Sequence, residues 1–185
     1  MSPPLVILVV LLVIALALAA MYNRLVRCRN HCDEAWSNVD TELKRRYDLI
    51  PNLVECVRGY AKYERELLEK LTRLREECVA NTGSPSSQAA SENKLVRTLT
   101  ALYARVENYP NLKASQNYLQ LQEELVNTED RIQAARRFYN GNVRENNNAV
   151  EMFPTNVIAS LFGFPRREFF EIEDTRQRQA PSAEL

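Results

Sequence analysis

Glycine is scarce in this chain. Four in 185 residues are too few to punctuate a sheet-rich fold with tight turns, and with abundant Leu, Glu, Arg, Ala and Asn they point to long helices joined by few turns. A single histidine excludes a carboxylate-bridged di-metal bundle, which needs two Glu-x-x-His motifs. His31 follows Arg29 and Asn30 and reads as a lone surface imidazole. Nucleophile sets of the Ser/His/Asp or Cys/His kind would all have to share it, and no Gly-rich phosphate loop is written. Neither sign of charge dominates: Lys plus Arg and Asp plus Glu are 24 each, so nothing steers the chain toward nucleic acid. The four cysteines, Cys28, Cys32, Cys56 and Cys78, form no CxxC, which removes the zinc ribbon and the redox motif and leaves thiols in a reducing compartment. Cys28 and Cys32 lie one turn apart and could offer two zinc ligands, with Cys56 or Cys78 from the next helix. Small hydrophobes in a core seam are the preferred reading, and no metal or cofactor is expected.

Polar groups are missing altogether from Leu5 to Met21, LVILVVLLVIALALAAM, seventeen residues without a charge, an amide or a hydroxyl. At ~1.5 Å per helical residue the run covers about 26 Å, and Tyr22 and Asn23 carry it toward the ~30 Å of a bilayer's hydrocarbon. Backbone groups in hydrocarbon must pair within the segment, so residues 1–23 are expected to be one transmembrane helix. No Lys or Arg precedes the run, whereas Arg24, Arg27 and Arg29 follow it; the positive side stays inside, which puts the N-terminus outside and the rest in the cytoplasm. A cleaved signal peptide is the rival reading. Ala17-Leu18-Ala19 resembles a cleavage site, but the basic n-region is absent and the run exceeds the usual ~7–15 residues.

Beyond the span, apolar residues recur at Leu25, Cys28, Cys32, Trp36, Val39, Leu43, Tyr47 and Ile50, an eleven-residue repeat that fits a nearly straight or slightly right-handed stripe continuing the span without a break. Pro51 then interrupts it. A reversal at Tyr47–Asn52 is preferred to a kinked continuation, with a second helix running to about Ala80 over Leu53, Val57, Ala61, Leu68, Leu71, Leu74 and Cys78, and Gly59 its weak point. A turn at 81–87 leads to a third helix from about Gln88 to Asn108 on Leu95, Leu99, Leu102 and Val106. Tyr109-Pro110-Asn111 stops it. A fourth, capped by Ser115, keeps its stripe through Tyr118, Leu121, Leu125, Thr128, Ile132, Ala135, Tyr139, Asn142, Asn146, Ala149 and Phe153. Asn146-Asn147-Asn148 is read as the part that outruns its neighbours. Thr155 is a candidate cap for a short helix from Asn156 to Phe162, closed by Gly163, and residues 171–185 hold almost nothing to bury, so a disordered tail is expected.

The runs YNRLVRCRN (22–30), DEAW (33–36), LKRRYDLIPNLVECVRGYAKYE (43–64), YPNLKAS (109–115), LQLQEELVNTEDRIQAARRFYN (119–140) and FPTNVIASLFGF (153–164) resemble the LemA family of bacterial membrane-anchored helical proteins. The resemblance covers Tyr22 to about Phe170. It implies an antiparallel four-helix up-and-down bundle behind an N-terminal anchor in the bacterial plasma membrane, without enzymatic activity, and a magnetosome-membrane member points toward membrane remodelling. Cys28, Cys32 and Cys56 depart from the family pattern, so no role for them follows.

The expected fold is thus all-α: an anchor at 1–23, a bundle of long helices at 24–152, an amphipathic segment at 153–170 and a tail at 171–185. Trp36, Pro51, Leu125, Ile132 and Phe153 are candidate structural residues, with Trp36 anchoring the first two helices. Glu123, Glu124, Glu129, Arg131, Arg136 and Arg137 read as solvated pairs rather than an acid/base site. After an even number of alternating helices the chain returns toward the membrane, which makes Arg24, Arg27, Arg29, Phe162, Phe164, Arg166, Arg167, Phe169 and Phe170 candidate interface residues. The alternative is that these aromatics cap the base of the bundle. Expected partners are the lipid bilayer, further copies of the chain, or another membrane protein; a scaffold is preferred to an adaptor for a membrane protease or transporter, and both to an enzyme.

Overall fold

The computed structural model describes residues 3–60 and 64–172. Among them every regular element is a helix: α1 Pro3–Arg58, α2 Arg65–Ala80, α3 Pro85–Val106, α4 Pro110–Lys113, α5 Gln116–Glu151 and α6 Thr155–Phe162. They form two compact units, and α1 and α5 contribute to both. Unit 1 comprises Met1–Asp40 and Ala134–Phe169; unit 2 comprises Thr41–Gln133 and Phe170–Leu185.

The apolar run and the stripe that follows it are one helix of 56 residues. Along it Leu25, Cys28, Cys32, Val39, Leu43, Tyr47 and Ile50 are buried, while Trp36 is half-buried beside a fully buried Ala35. The reversal expected at Tyr47–Asn52 does not occur. Helix α1 passes through Pro51 and ends at Arg58, and unit 2 shows why the proline is tolerated. Pro51 has no N–H, which strands the carbonyl of Tyr47 four residues earlier. The Nε of Arg75, on α2, donates to that carbonyl at 2.6 Å. The chain instead breaks at Gly59–Tyr60, where Tyr60 N–H bonds the Val57 carbonyl in a final turn. Leu53 and Val57 are therefore core residues of α1, and Leu68, Leu71, Leu74 and Cys78 core residues of α2. Ala61 lies outside the described residues.

Helix α3 starts at Pro85, three residues before the position expected, because Ser84 caps it by accepting from Ser87 N–H and the proline fits the first turn. Helix α4 is a single turn at the Tyr109-Pro110-Asn111 stop. Four helical segments, from α1, α2, α3 and α5, thus build unit 2 around Leu43, Ile50, Leu71, Leu95, Leu102, Leu125 and Ile132. Unit 1 has only parts of α1 and α5 with α6 and the segment after it. Gly163 ends α6 with φ +68°, a left-handed turn in which an L side chain is strained. Of the expected tail, Ile172 is buried and the Glu171 carbonyl accepts from Asn93; residues 173–185 lie outside the described residues.

Candidate membrane-facing site

Among the described residues one helix, α1, is long and apolar enough to cross a membrane. From Leu5 to Leu18 its large apolar side chains are exposed on every face, the pattern of a helix whose solvent is not water. The apolar run ends at Met21, and the rest of unit 1 closes on the next residue. The Tyr22 ring meets Phe162 edge-on at 5.0 Å between centroids and Phe164 at 5.6 Å. Below them Leu25, Cys28, Ala149, Ile158, Ala159 and Phe164 form a buried cluster, with Met21, Val26 and Val150 packed on it. The Arg29 guanidinium lies 5.5 Å from the centre of the Phe164 ring, within cation–π range.

The segment after α6 is fastened to α5 and α1. Asn147 accepts from the Arg167 N–H at 2.8 Å through Oδ1 and donates to the Arg167 carbonyl at 2.9 Å through Nδ2. Tyr139 O–H donates to the Glu168 carbonyl at 2.9 Å, and its ring packs on Trp36 at 5.1 Å. Arg167 pairs with Asp33 and Arg166 with Glu151, each at 2.8 Å. The Asn-rich end of α5 therefore does not simply outrun its neighbours: Asn146 and Asn147 are buried, and Asn147 supplies the backbone bonds that a segment without regular structure lacks.

This redistributes the candidate interface residues. Arg24, Arg27 and Arg29 are exposed on α1, and Phe162 is exposed; Phe164 and Phe170 are buried, Phe169 and Arg167 half-buried, and Arg166 exposed but ion-paired. Phe153, expected in the core, is 81% exposed, because α5 ends at Glu151 and the chain turns before the stripe can carry it inward. Trp36 packs on Tyr139 of α5.

Unit 2 holds a site that the stripes did not announce. Arg46 and Glu92 are each 1% exposed and are ion-paired; Arg46 also bonds Glu129 at 2.7 Å, and the Tyr47 hydroxyl donates to Glu92. Glu129 is thus bound to a buried arginine, not a solvated surface partner. Burial works against the charge on Arg46, but Glu92 and Glu129 outweigh it and raise its pKa above the ordinary value. Burial, with Glu92 adding to it, pushes the Tyr47 phenol far up. The signal was present in the sequence, since Arg46 lies three residues after Leu43 and four before Ile50, and Glu92 three after Ala89 and three before Leu95. Each is a charge on an apolar stripe, and such charges need each other.

The LemA family model matches residues 35–184. The chain belongs to the LemA family. Among relatives, Protein LemA of Metamycoplasma hominis is 28% identical over 88% of this chain and 74% of its own length. Magnetosome protein MamQ of Magnetospirillum gryphiswaldense is 27% identical over 80% of this chain, and Magnetosome protein MamQ 2 of Paramagnetospirillum magneticum 28% identical over 81%. The chain spans 64% of the length of each magnetosome protein. With its apolar N-terminal helix, which fits a membrane anchor, this LemA-family chain is a membrane-associated helical protein.

The ionisable groups of this LemA-family chain are held by structure. Burial pushes the Cys32 thiol up to about 11 and the Cys78 thiol up to about 12, and raises Cys28 and Cys56. At neutral pH all four are protonated and poor nucleophiles. Among the described residues no group of three or more His, Cys, Asp and Glu could hold a metal ion.

Proposed function

We propose that the chain is a non-enzymatic, membrane-anchored helical scaffold at the cytoplasmic face of the bacterial plasma membrane, assembling laterally with copies of itself so that the array shapes the bilayer. The observation that carries this reading is the continuity of α1: the apolar run passes into both folded units without a loop, so that a force on the folded part is transmitted to the span by a stiff helix. Orientation follows from Arg24, Arg27 and Arg29 after the run against no Lys or Arg before Leu5. The engagement of Arg46, Glu92, Tyr47 and Glu129 with one another and the raised thiols support a structural use of the groups that an enzyme would keep available. The magnetosome names of two relatives lend support to a role at a membrane.

Cross-linking in native membranes with a mass readout tests the reading. Ladders at multiples of the chain's own mass are expected. A single adduct with a different membrane protein in stoichiometric amount would replace self-assembly by the adaptor role, and only uncross-linked chains at high density would remove the scaffold.

A further inference from the structure

We propose that the outer face of α6 is a second, non-spanning lipid contact, a pad that sinks into the boundary between headgroups and acyl chains of the leaflet at which the α1 span ends. The proposal rests on the anchoring reading above and adds to it. Helix α6 is apolar on both sides. Its inner side, Thr155, Ile158 and Ala159, is buried, and Ile158 and Ala159 belong to the cluster with Leu25, Cys28 and Ala149. Its outer side carries Val157 and Leu161 one turn apart, with Phe162 beside them and Met152 and Phe153 in the turn that leads into the helix, all 57–81% exposed. A short helix with this much uncovered apolar surface marks a contact with something other than water.

Its place decides what covers it. Phe162 touches Tyr22, which directly follows the apolar run, so the end of α6 is held where a span leaves hydrocarbon and where tyrosine rings settle in bilayers. Arg24 and Arg27 are exposed on the adjoining turns of α1 and suit anionic headgroups. The pad is also pre-set. The left-handed Gly163, the two Asn147 bonds to the Arg167 backbone and the Arg167–Asp33 pair fix the chain that leaves α6, so insertion orders little that is not already ordered. Apolar volume added to one leaflet beside a span is a wedge, and such insertion is coupled to curvature.

Tryptophan quenching by brominated lipids tests this on the full chain in proteoliposomes containing anionic lipid, with the wild type, whose single Trp36 gives the baseline, measured alongside. The variants are Phe153→Trp, Leu161→Trp, Ile14→Trp within the span, and Phe138→Trp, at an exposed position of α5 about 20 Å along the helix from its end at Glu151. Tryptophan at 153 and at 161 should be quenched about twofold more by lipid brominated near the headgroup than by lipid brominated near the chain end. The order should reverse at 14, and 138 should stay at the baseline. Quenching at 14 with none above baseline at 153 and 161 would overturn the pad and leave the anchor standing; if cysteines introduced at 153 then cross-link two chains, a second copy covers the face. An unquenched position 14 would overturn the anchor and the pad with it.

Discussion

In unit 1 Leu25, Cys28, Ala149, Ile158, Ala159 and Phe164 form an apolar cluster, the buried polar side chains Asn146 and Asn147 are uncharged, and the ion pairs Arg166–Glu151 and Arg167–Asp33 stay at the accessible rim. In unit 2 an arginine and a glutamate are 1% exposed and ion-paired, and a tyrosine and a second glutamate add a bond to each. Apolar packing is tolerant of partner and angle, whereas a buried ion pair is satisfied in one arrangement and costly in others. The unit that contains the apolar run therefore spends its hydrophobic residues freely, leaving some uncovered, while the unit with four helical segments uses Arg46 and Glu92 to set which faces meet. That is the lesson of the difference: one unit leaves apolar surface uncovered, the other keeps its helices in register.

The comparison breaks most visibly at Glu92. Glu92→Ala leaves Arg46 buried with only Glu129 to face, and should destabilise unit 2 by about 3–5 kcal/mol in chemical unfolding followed by circular dichroism. Arg46→Met combined with Glu92→Leu and Glu129→Gln should recover most of that loss, because no charge then remains stranded. In unit 1 the corresponding lesion is Phe164→Ala, expected to cost about 3 kcal/mol through the cavity beside Tyr22 and the lost ring contacts. If the two units are as different as proposed, only the Glu92 lesion responds to a paired charge removal.

A smaller effect sharpens the account of Pro51. Arg75→Met strands the Tyr47 carbonyl and should cost about 1–3 kcal/mol. Adding Pro51→Ala returns an N–H to that carbonyl and should restore most of it, and a double-mutant cycle in the same unfolding assay measures the coupling. The smallest expected effect is alkaline. The Cys32 and Cys78 thiols titrate near 11 and 12 when folded, against an ordinary 9.0, so the unfolded chain releases these protons first as pH rises. Their contribution is complete below pH 9 and is lost as pH climbs through about 11 to 12. Thermal melts across that window should show a falling midpoint, shallower in Cys32→Ala with Cys78→Val.

Periodicity in the sequence located nearly every buried stripe, because a helix repeats its face with the same spacing wherever it packs. Leu25 through Ile50, Leu68 through Cys78 and Leu95 through Val106 are examples. What it could not locate was the end of α1. A proline's local preference favours a break, and the guanidinium that makes the break unnecessary comes from Arg75, 28 positions away. The exposure of Phe153 escaped for a related reason, since spacing tells which side a residue shares but not where a neighbour stops. Arg46 and Glu92 were legible in principle as charges at apolar positions; their pairing was not, because it depends on which helices meet. The candidate interface was expected as one segment, and the structure sorts its residues into buried ones such as Phe164 and uncovered ones such as Leu161.

The account depends most directly on the apolar run staying attached, with its arginines on the inner side. A tag fused after Leu185, probed with protease on intact cells and on inside-out vesicles while the mass of the tagged chain is read, tests this in one measurement. The prediction is an uncleaved N-terminus, a tag protected in cells and digested in vesicles. A tag digested from outside intact cells, or a mature chain lacking the residues up to Ala19, would contradict it.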